Sequence, residues 1–263
     1  MGLEDKVVLI TGASRGIGKQ AALRLAENGA RLVLAARTVE ASHSQFPGTL
    51  NETAAMVRAR GAKALAVRCD LAIRADLERL CRSAIDEYGR VDILINNAAW
   101  FGDGHYDPFL SISLDQWQTM IDVDLNAPVM LTRLLLPGMV ERRSGLVICM
   151  TSVAATHDVP AGGRGGISPA YPAAKAALNR FVRALAAEIR EHRIAVIALE
   201  PGFTLTERTA TLFPRRNMDF SAARSMETPV RTILDLCTCA DPMAYSGQVI
   251  IAAEYAKQHQ LLD

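Results

Sequence analysis

Short apolar runs alternate with longer segments of helical spacing along most of the chain. The runs at residues 6–11, 31–36, 63–69, 91–95, 145–150 and 193–199 are predicted strands, and 248–252 is a seventh. Several are apolar at consecutive positions rather than alternate ones. Such strands are covered on both faces, as in a parallel sheet. Between them, residues 15–28, 52–60, 75–88, 114–143, 170–192 and 229–239 are predicted helices. Gly29, Gly61 and Gly89 stand where helix-ending glycines belong. The long helix at 114–143 is expected to bend near Pro128 and Pro137. Residues 38–51, 100–113, 153–170 and 203–227 read as loops, the last with one short helix, and 254–263 reads as a tail. Strand–helix alternation with short joins implies βαβ units and right-handed crossovers. The predicted fold is α/β, a Rossmann-type doubly wound parallel sheet of about seven strands with helices on both faces. No linker or repeat divides residues 1–263, so one domain is expected.

Composition narrows the function classes. Half the residues are hydrophobic, enough for a sizeable core. With 29 basic and 28 acidic residues, nothing points to an electrostatic nucleic-acid surface. No apolar run reaches the roughly 18 residues of a membrane span; the nearest, 129–140, contains Arg133 and Pro137. Glu4 and Asp5 lead straight into the first strand, so no signal peptide is expected. The cysteines at 69, 81, 149, 237 and 239 are odd in number and form no C-x-x-C pair. That pattern fits a reduced, cytoplasmic protein with buried thiols and no metal site.

In a doubly wound sheet, ligands bind beyond the carboxyl ends of the strands. The distinctive residues follow those ends: Arg37, Asp70, Asn97, Ser152 and Pro201-Gly202. The first strand runs into Thr11-Gly12-Ala13-Ser14-Arg15-Gly16-Ile17-Gly18 and then a helix. Glycines let the chain turn tightly and let a phosphate approach the main chain, and the helix start offers unpaired N–H groups. Taken alone, such a turn is about as often only a turn, and the spacing is not G-x-G-x-x-G. Tyr171 and Lys175 are four apart and share a helix face. A cation there lowers the phenol pKa, and the hydroxyl can then exchange a proton with a carbonyl or alcohol oxygen. Taken alone, Asp70 also reads as a helix cap, Asn97 as a strand bridge and Ser152 as a turn residue.

Together, 11–18, Asp70, Asn96-Asn97-Ala98, Ser152 with Tyr171 and Lys175, and Pro201-Gly202 stand in one order over nearly the whole chain. In that order and rough spacing they resemble the short-chain dehydrogenase/reductase family. The resemblance implies a nicotinamide-dependent oxidoreductase of alcohols and ketones. By it, Tyr171 is the general acid/base, Ser152 orients the substrate oxygen, and Lys175 holds the nicotinamide ribose and tunes Tyr171. Gly12, Ser14, Arg15, Gly16, Ile17 and Gly18 form the cofactor turn. Asp70 and Leu71 meet the adenine, and Asn97 and Ala98 wall the adenosine side. The Thr204 backbone and the Thr206 side chain hold the carboxamide. The stretch 38–51 resembles that of the hydroxysteroid dehydrogenase-like branch, without fixing a steroid substrate.

Three departures stand out. The family's Val-Asn-Leu is Val123-Asp124-Leu125 here, with Asn126 two residues on. Eighteen residues separate Ser152 from Tyr171, more than the family usually has. Ala99 replaces the usual glycine. For Asp124 the favoured reading is a backbone role, in which the carbonyl holds a water linking Lys175 to solvent. Alternatively the carboxylate lies near Lys175 and weakens its help to Tyr171, or it points away. Ala36 stands where NAD-specific relatives carry an acid, followed by Arg37, with Arg15 on the same side. Two guanidinium groups offer forked bonds to a 2′-phosphate, so NADP(H) is the expected cofactor and NAD(H) the second choice. The expected reaction interconverts a secondary alcohol and a ketone. The alternative is a non-catalytic NADP(H)-binding sensor or scaffold. A small carbonyl or alcohol compound is the expected partner, without nucleic acid or membrane, in a homotetramer or homodimer. Trp100, Phe101, His105, Tyr106, Phe109, His157, Arg164, Phe203 and Phe213 lie in the loops that shape its pocket.

Overall fold

A computed structural model describes residues 2–162, 166–215 and 221–262, without the side chains of His43, Phe213 and Arg215. Arg164 and the Phe213 side chain, both named above, lie outside the described residues. Seven parallel strands form one sheet in the order β3-β2-β1-β4-β5-β6-β7. They are β1 Val7–Thr11, β2 Arg31–Ala36, β3 Ala64–Arg68, β4 Ile93–Asn96, β5 Gly145–Met150, β6 Ile194–Glu200 and β7 Val249–Ile251. The strands alternate their side chains between two cores: Val8 and Ile10 join one, Val7 and Leu9 the other. The first core lies under α1 Gly16–Glu27 and α2 Leu50–Arg58. The second lies under α3 Arg74–Tyr88, with α4 Leu114–Ile121 leading on to α5 Ala127–Arg142 and α6 Ala170–Glu188. The doubly wound architecture expected from the apolar runs is present.

The chain winds outward from β1 to β3, then returns to β4 and winds the other way. This reversal opens a crevice beyond the carboxyl ends of β1 and β4. Local chemistry fixes the helix starts that frame it. Thr49 and Glu52 form a reciprocal capping box on α2, and Ser113 and Gln116 form one on α4.

The expected bend in 114–143 takes a specific form. Residues Asp122–Asn126 make a π turn, closed by the Ala127 N–H donating to the Asp122 carbonyl. Pro128 has no N–H, so the Asp124 carbonyl lacks its normal helical donor. Pro137 sits inside α5 without ending it. In the 203–227 loop, α7 Glu207–Arg215 is the short helix expected there, and α8 Glu227–Thr238 follows. The stretch expected as a tail instead begins with α9 Ala252–Gln258, because Ala252 and Tyr255 join the first core and Ala256 is buried with them. Among the described residues, no helix is long and apolar enough to cross a membrane.

Candidate active site

The glycine turn and β4 are built around each other. Thr11 Oγ1 accepts from the N–H groups of Asn97 and Ala98, and Asn97 Nδ2 donates to the Thr11 carbonyl at 2.8 Å. Gly18 lies beneath the turn, and a Cβ on it would stand 2.5 Å from the Gly12 carbonyl oxygen and from Asn97 Nδ2. Gly12 and Gly16 have φ of +69° and +60°, which side chains disfavour. The result is a bare main-chain cradle at the start of α1, the chemistry a dinucleotide pyrophosphate requires. The Gly16 N–H there donates to the Glu207 carboxylate at 2.8 Å.

A cavity of about 590 Å³ runs from this cradle across the strand ends. Gly12, Ser14, Arg15, Gly16 and Ile17 line one part of it, with Arg37 beside them. Asp70, Leu71, Asn97 and Ala98 form the next stretch of wall. Ser152, Tyr171, Lys175, Thr204 and Thr206 line the rest. Gly18 and Asp124 sit behind the wall. Residues that follow six strand ends in the sequence line one space in the fold. A nicotinamide dinucleotide fits the residues present.

At the reacting end, Tyr171 and Lys175 project from the first turns of α6. Lys175 Nζ lies 5.5 Å from the centre of the Tyr171 ring. The ammonium donates to the Met150 carbonyl at 3.0 Å and pairs with Asp124 Oδ1 at 3.2 Å. Asp124 also accepts from the Trp100 N–H. The carboxylate therefore does not point away; it lies beside Lys175, the second of the expected arrangements. Burial pushes the Asp124 carboxyl up, against the opposing pull of Lys175.

The Tyr171 phenol is also pushed up, by burial first and by the Asp124 charge second, with the Ser152 hydroxyl partly offsetting both. This is opposite to the lowering expected from Lys175. The ammonium is in contact with the Asp124 carboxylate, and the charge of that carboxylate opposes the phenolate. Two rings pack on Tyr171: His105 edge-on at 4.9 Å and Phe101 at 6.2 Å.

The arginines divide their work. Arg15 donates through Nε to the Pro47 carbonyl and through Nη2 to the Phe46 and Gly48 carbonyls and Ser44 Oγ. It thus pins the 44–48 loop, which leaves Arg37 as the freer guanidinium, stacked 4.9 Å over Trp100. Asp70 accepts from the Ala72 N–H while its own N–H donates to Asp76, so a turn role and a place in the cavity wall coexist. The sequence reading passed over Phe46, Glu207 and Arg208, which also border this region. No motif marks them; the nearest signal was their place two or fewer residues beyond Thr206, or inside the 38–51 insertion.

A main-chain cradle at the switch point, with Ser152 after β5 and Tyr171 and Lys175 on α6 in the same cavity, is an arrangement suited to a nucleotide-dependent oxidoreductase. The short chain dehydrogenase profile matches residues 6–217. The 3-oxoacyl-[acyl-carrier-protein] reductase of Synechocystis sp. is 32% identical over 80% of this chain and 78% of its own. A metagenomic short-chain oxidoreductase, solved in complex with NADP, superposes with a TM-score of 0.76 at 29% identity, covering 95% of this chain and 97% of that one. Carveol dehydrogenase from Mycobacterium avium, solved with NAD, shares the fold at a TM-score of 0.80 and 24% identity, over 95% and 97% of the two chains. The chain belongs to the short-chain dehydrogenase/reductase family and is an oxidoreductase that uses a nicotinamide dinucleotide.

Proposed function

We propose that this enzyme interconverts a secondary alcohol and a ketone with NADP(H), its whole chain forming one catalytic domain. The observation that carries the reading is the convergence of Ser152, Tyr171 and Lys175 on one wall of the cavity. When bound, the nicotinamide supplies or accepts the hydride. Ser152 donates a hydrogen bond to the substrate oxygen and holds it against Tyr171. The Tyr171 hydroxyl gives its proton to that oxygen as negative charge develops during reduction, and takes it back during oxidation. Lys175, fixed by Met150 and Asp124, orients this end of α6 and would hold the nicotinamide ribose. Phe101 and His105 keep the phenol out of water. Asp70, Leu71, Asn97 and Ala98 would flank the adenosine, and Thr204 and Thr206 the carboxamide.

Arg37 supports the NADP(H) preference, and the carbonyl reduction in the name of the Synechocystis relative supports the reaction class. The test is the loss of nicotinamide absorbance from NADPH with a panel of ketones. Turnover that requires Tyr171 supports the reading, whereas tight NADPH binding without turnover on any carbonyl returns the scaffold alternative.

A homodimer or homotetramer, built on α5 and α6, is also inferred. Leu134 on α5 is 41% exposed, and α6 exposes the small residues Ala173, Ala176 and Ala177. Sedimentation of a strict monomer at micromolar concentration would remove this inference. The five free thiols, three of them buried, support a reducing cytoplasmic setting.

A further inference from the structure

Arg208 is the second residue of α7, and it reaches back over the cavity. Its guanidinium carbon lies 4.8 Å from the Phe46 ring centre and 5.8 Å from that of Phe101. Arg15 lies 5.9 Å from the same Phe46 ring. Among the described residues, Arg208 has two aromatic faces and no carboxylate partner. Its neighbour Glu207 turns the other way, onto the Gly16 N–H.

A second cavity of about 660 Å³ opens beside the cofactor groove and shares part of its wall. Arg37, Arg68 and Arg208 line it, together with Ser44, Gln45 and a single acidic residue, Asp103, so cations outnumber the anion three to one. Burial, and then the charges of Arg15 and Arg37, pull the Arg208 pKa down to about 10. Like charges gathered in a half-buried space repel one another, and a dianion placed among them relieves the repulsion.

We propose that Arg208 is a specificity-determining residue that grips the 2′-phosphate of NADP(H) together with Arg37. The inference rests on the cofactor reading above and extends it to α7. Arg15 alone cannot supply a second fork, because Nε and Nη2 are spent on the 44–48 loop. The rings of Phe46 and Phe101 hold the Arg208 guanidinium in place without neutralising it. Phosphate recognition then draws on α7, and Thr206 just ahead of that helix lays its methyl group against Gly16. A 2′-phosphate thereby fastens α7 over the groove, which a plain 2′-hydroxyl does not.

The test is calorimetric titration of wild type, Arg208→Gln, Arg208→Lys and Arg37→Gln with NADPH, NADH, adenosine 2′,5′-bisphosphate and 5′-AMP. Arg208→Gln is expected to weaken NADPH and the 2′,5′-bisphosphate by about tenfold or more, the scale of one charge-assisted contact. NADH and 5′-AMP should stay within about twofold, and Arg208→Lys should recover part of the loss. Unchanged 2′,5′-bisphosphate binding in Arg208→Gln, alongside weakened binding in Arg37→Gln, overturns the inference and leaves the cofactor reading intact. Equal weakening of all four ligands also overturns it, since that marks a structural role. Selective loss of an acidic ketone substrate overturns it in favour of a substrate subsite. A wild type that binds the two cofactors equally, and the bisphosphate no better than 5′-AMP, defeats the cofactor reading itself.

Discussion

Lys175 Nζ lies 3.2 Å from Asp124 Oδ1, and both side chains are at most 1% exposed. The pair joins α6, which carries Tyr171, to the π turn between α4 and α5. It also changes what the lysine can do for its neighbour. A free ammonium near Tyr171 would favour the phenolate; a paired one does so weakly, and the Asp124 charge acts against it.

The sign of the pH dependence follows. With its pKa raised, the Tyr171 hydroxyl stays protonated through neutral pH and, in the proposed mechanism, remains a proton donor for ketone reduction. In that mechanism oxidation needs the phenolate, so its rate should climb far into the alkaline range. Asp124→Asn removes a negative charge and leaves Lys175 uncompensated; both effects lower the phenol pKa. The alkaline limb should then move down by about one to three pH units, with turnover at its plateau within a few-fold of wild type. The pH–rate profiles of the two proteins on one substrate check this. An unmoved limb would mean that Asp124 does not act on the Tyr171 titration.

Tyr171→Phe separates chemistry from binding. The ring keeps its packing against His105 and Phe101, and only the hydroxyl is lost. Turnover should fall by at least about a hundredfold, while NADPH affinity and melting temperature stay near wild type. Loss of both activity and cofactor affinity would show that the hydroxyl mainly supports the site's structure.

Arg37→Asp tests cofactor choice from the β2 side. Arg37 follows β2 at its carboxyl end and stacks on Trp100, with no carboxylate partner among the described residues. An acid there repels a 2′-phosphate and can accept from a 2′-hydroxyl. The ratio of kcat/KM for NADPH over NADH should fall by about a hundredfold or more. An unchanged ratio would place 2′-phosphate recognition elsewhere in the cavity.

Much of this site was legible in the chain because it is set by strand ends. Once the apolar runs place six strands, the residues after them must share one edge of the sheet, and Gly12, Asn97, Ser152 and Pro201 do. Side-chain partners across that edge were not legible. Arg15 and Arg37 read alike in the sequence, yet one pins a loop and the other stacks on an indole. The direction of Asp124 depends on a π turn, which shifts helix register by one residue and leaves no periodic trace. Arg208 belongs to a helix whose place over the groove is fixed by tertiary contacts, so spacing alone could not bring it near Phe46.

Two glycines separate lack of space from backbone strain. Gly61 follows α2 at φ +82°, and a Cβ there would meet nothing within 4 Å. Gly61→Ala should therefore cost only the left-handed strain, about 1 kcal/mol, and leave cofactor binding alone. Gly18 has no left-handed φ, yet its Cβ would lie 2.5 Å from the Gly12 carbonyl oxygen. Backbone must move to admit it, and the backbone that moves is the cradle itself. The Asn97 amide, at the same 2.5 Å, would lose its bond to Thr11, so the shift would spread to the end of β4. Gly18→Ala should lower the melting temperature more than Gly61→Ala does, and weaken NADPH by at least about tenfold. Thermal denaturation with and without NADPH reads both effects together. The cofactor-induced rise in melting temperature should persist in Gly61→Ala and shrink in Gly18→Ala. A full rise in Gly18→Ala would mean that the turn yields without disturbing the phosphate cradle, and that the close packing of Gly18 serves folding alone.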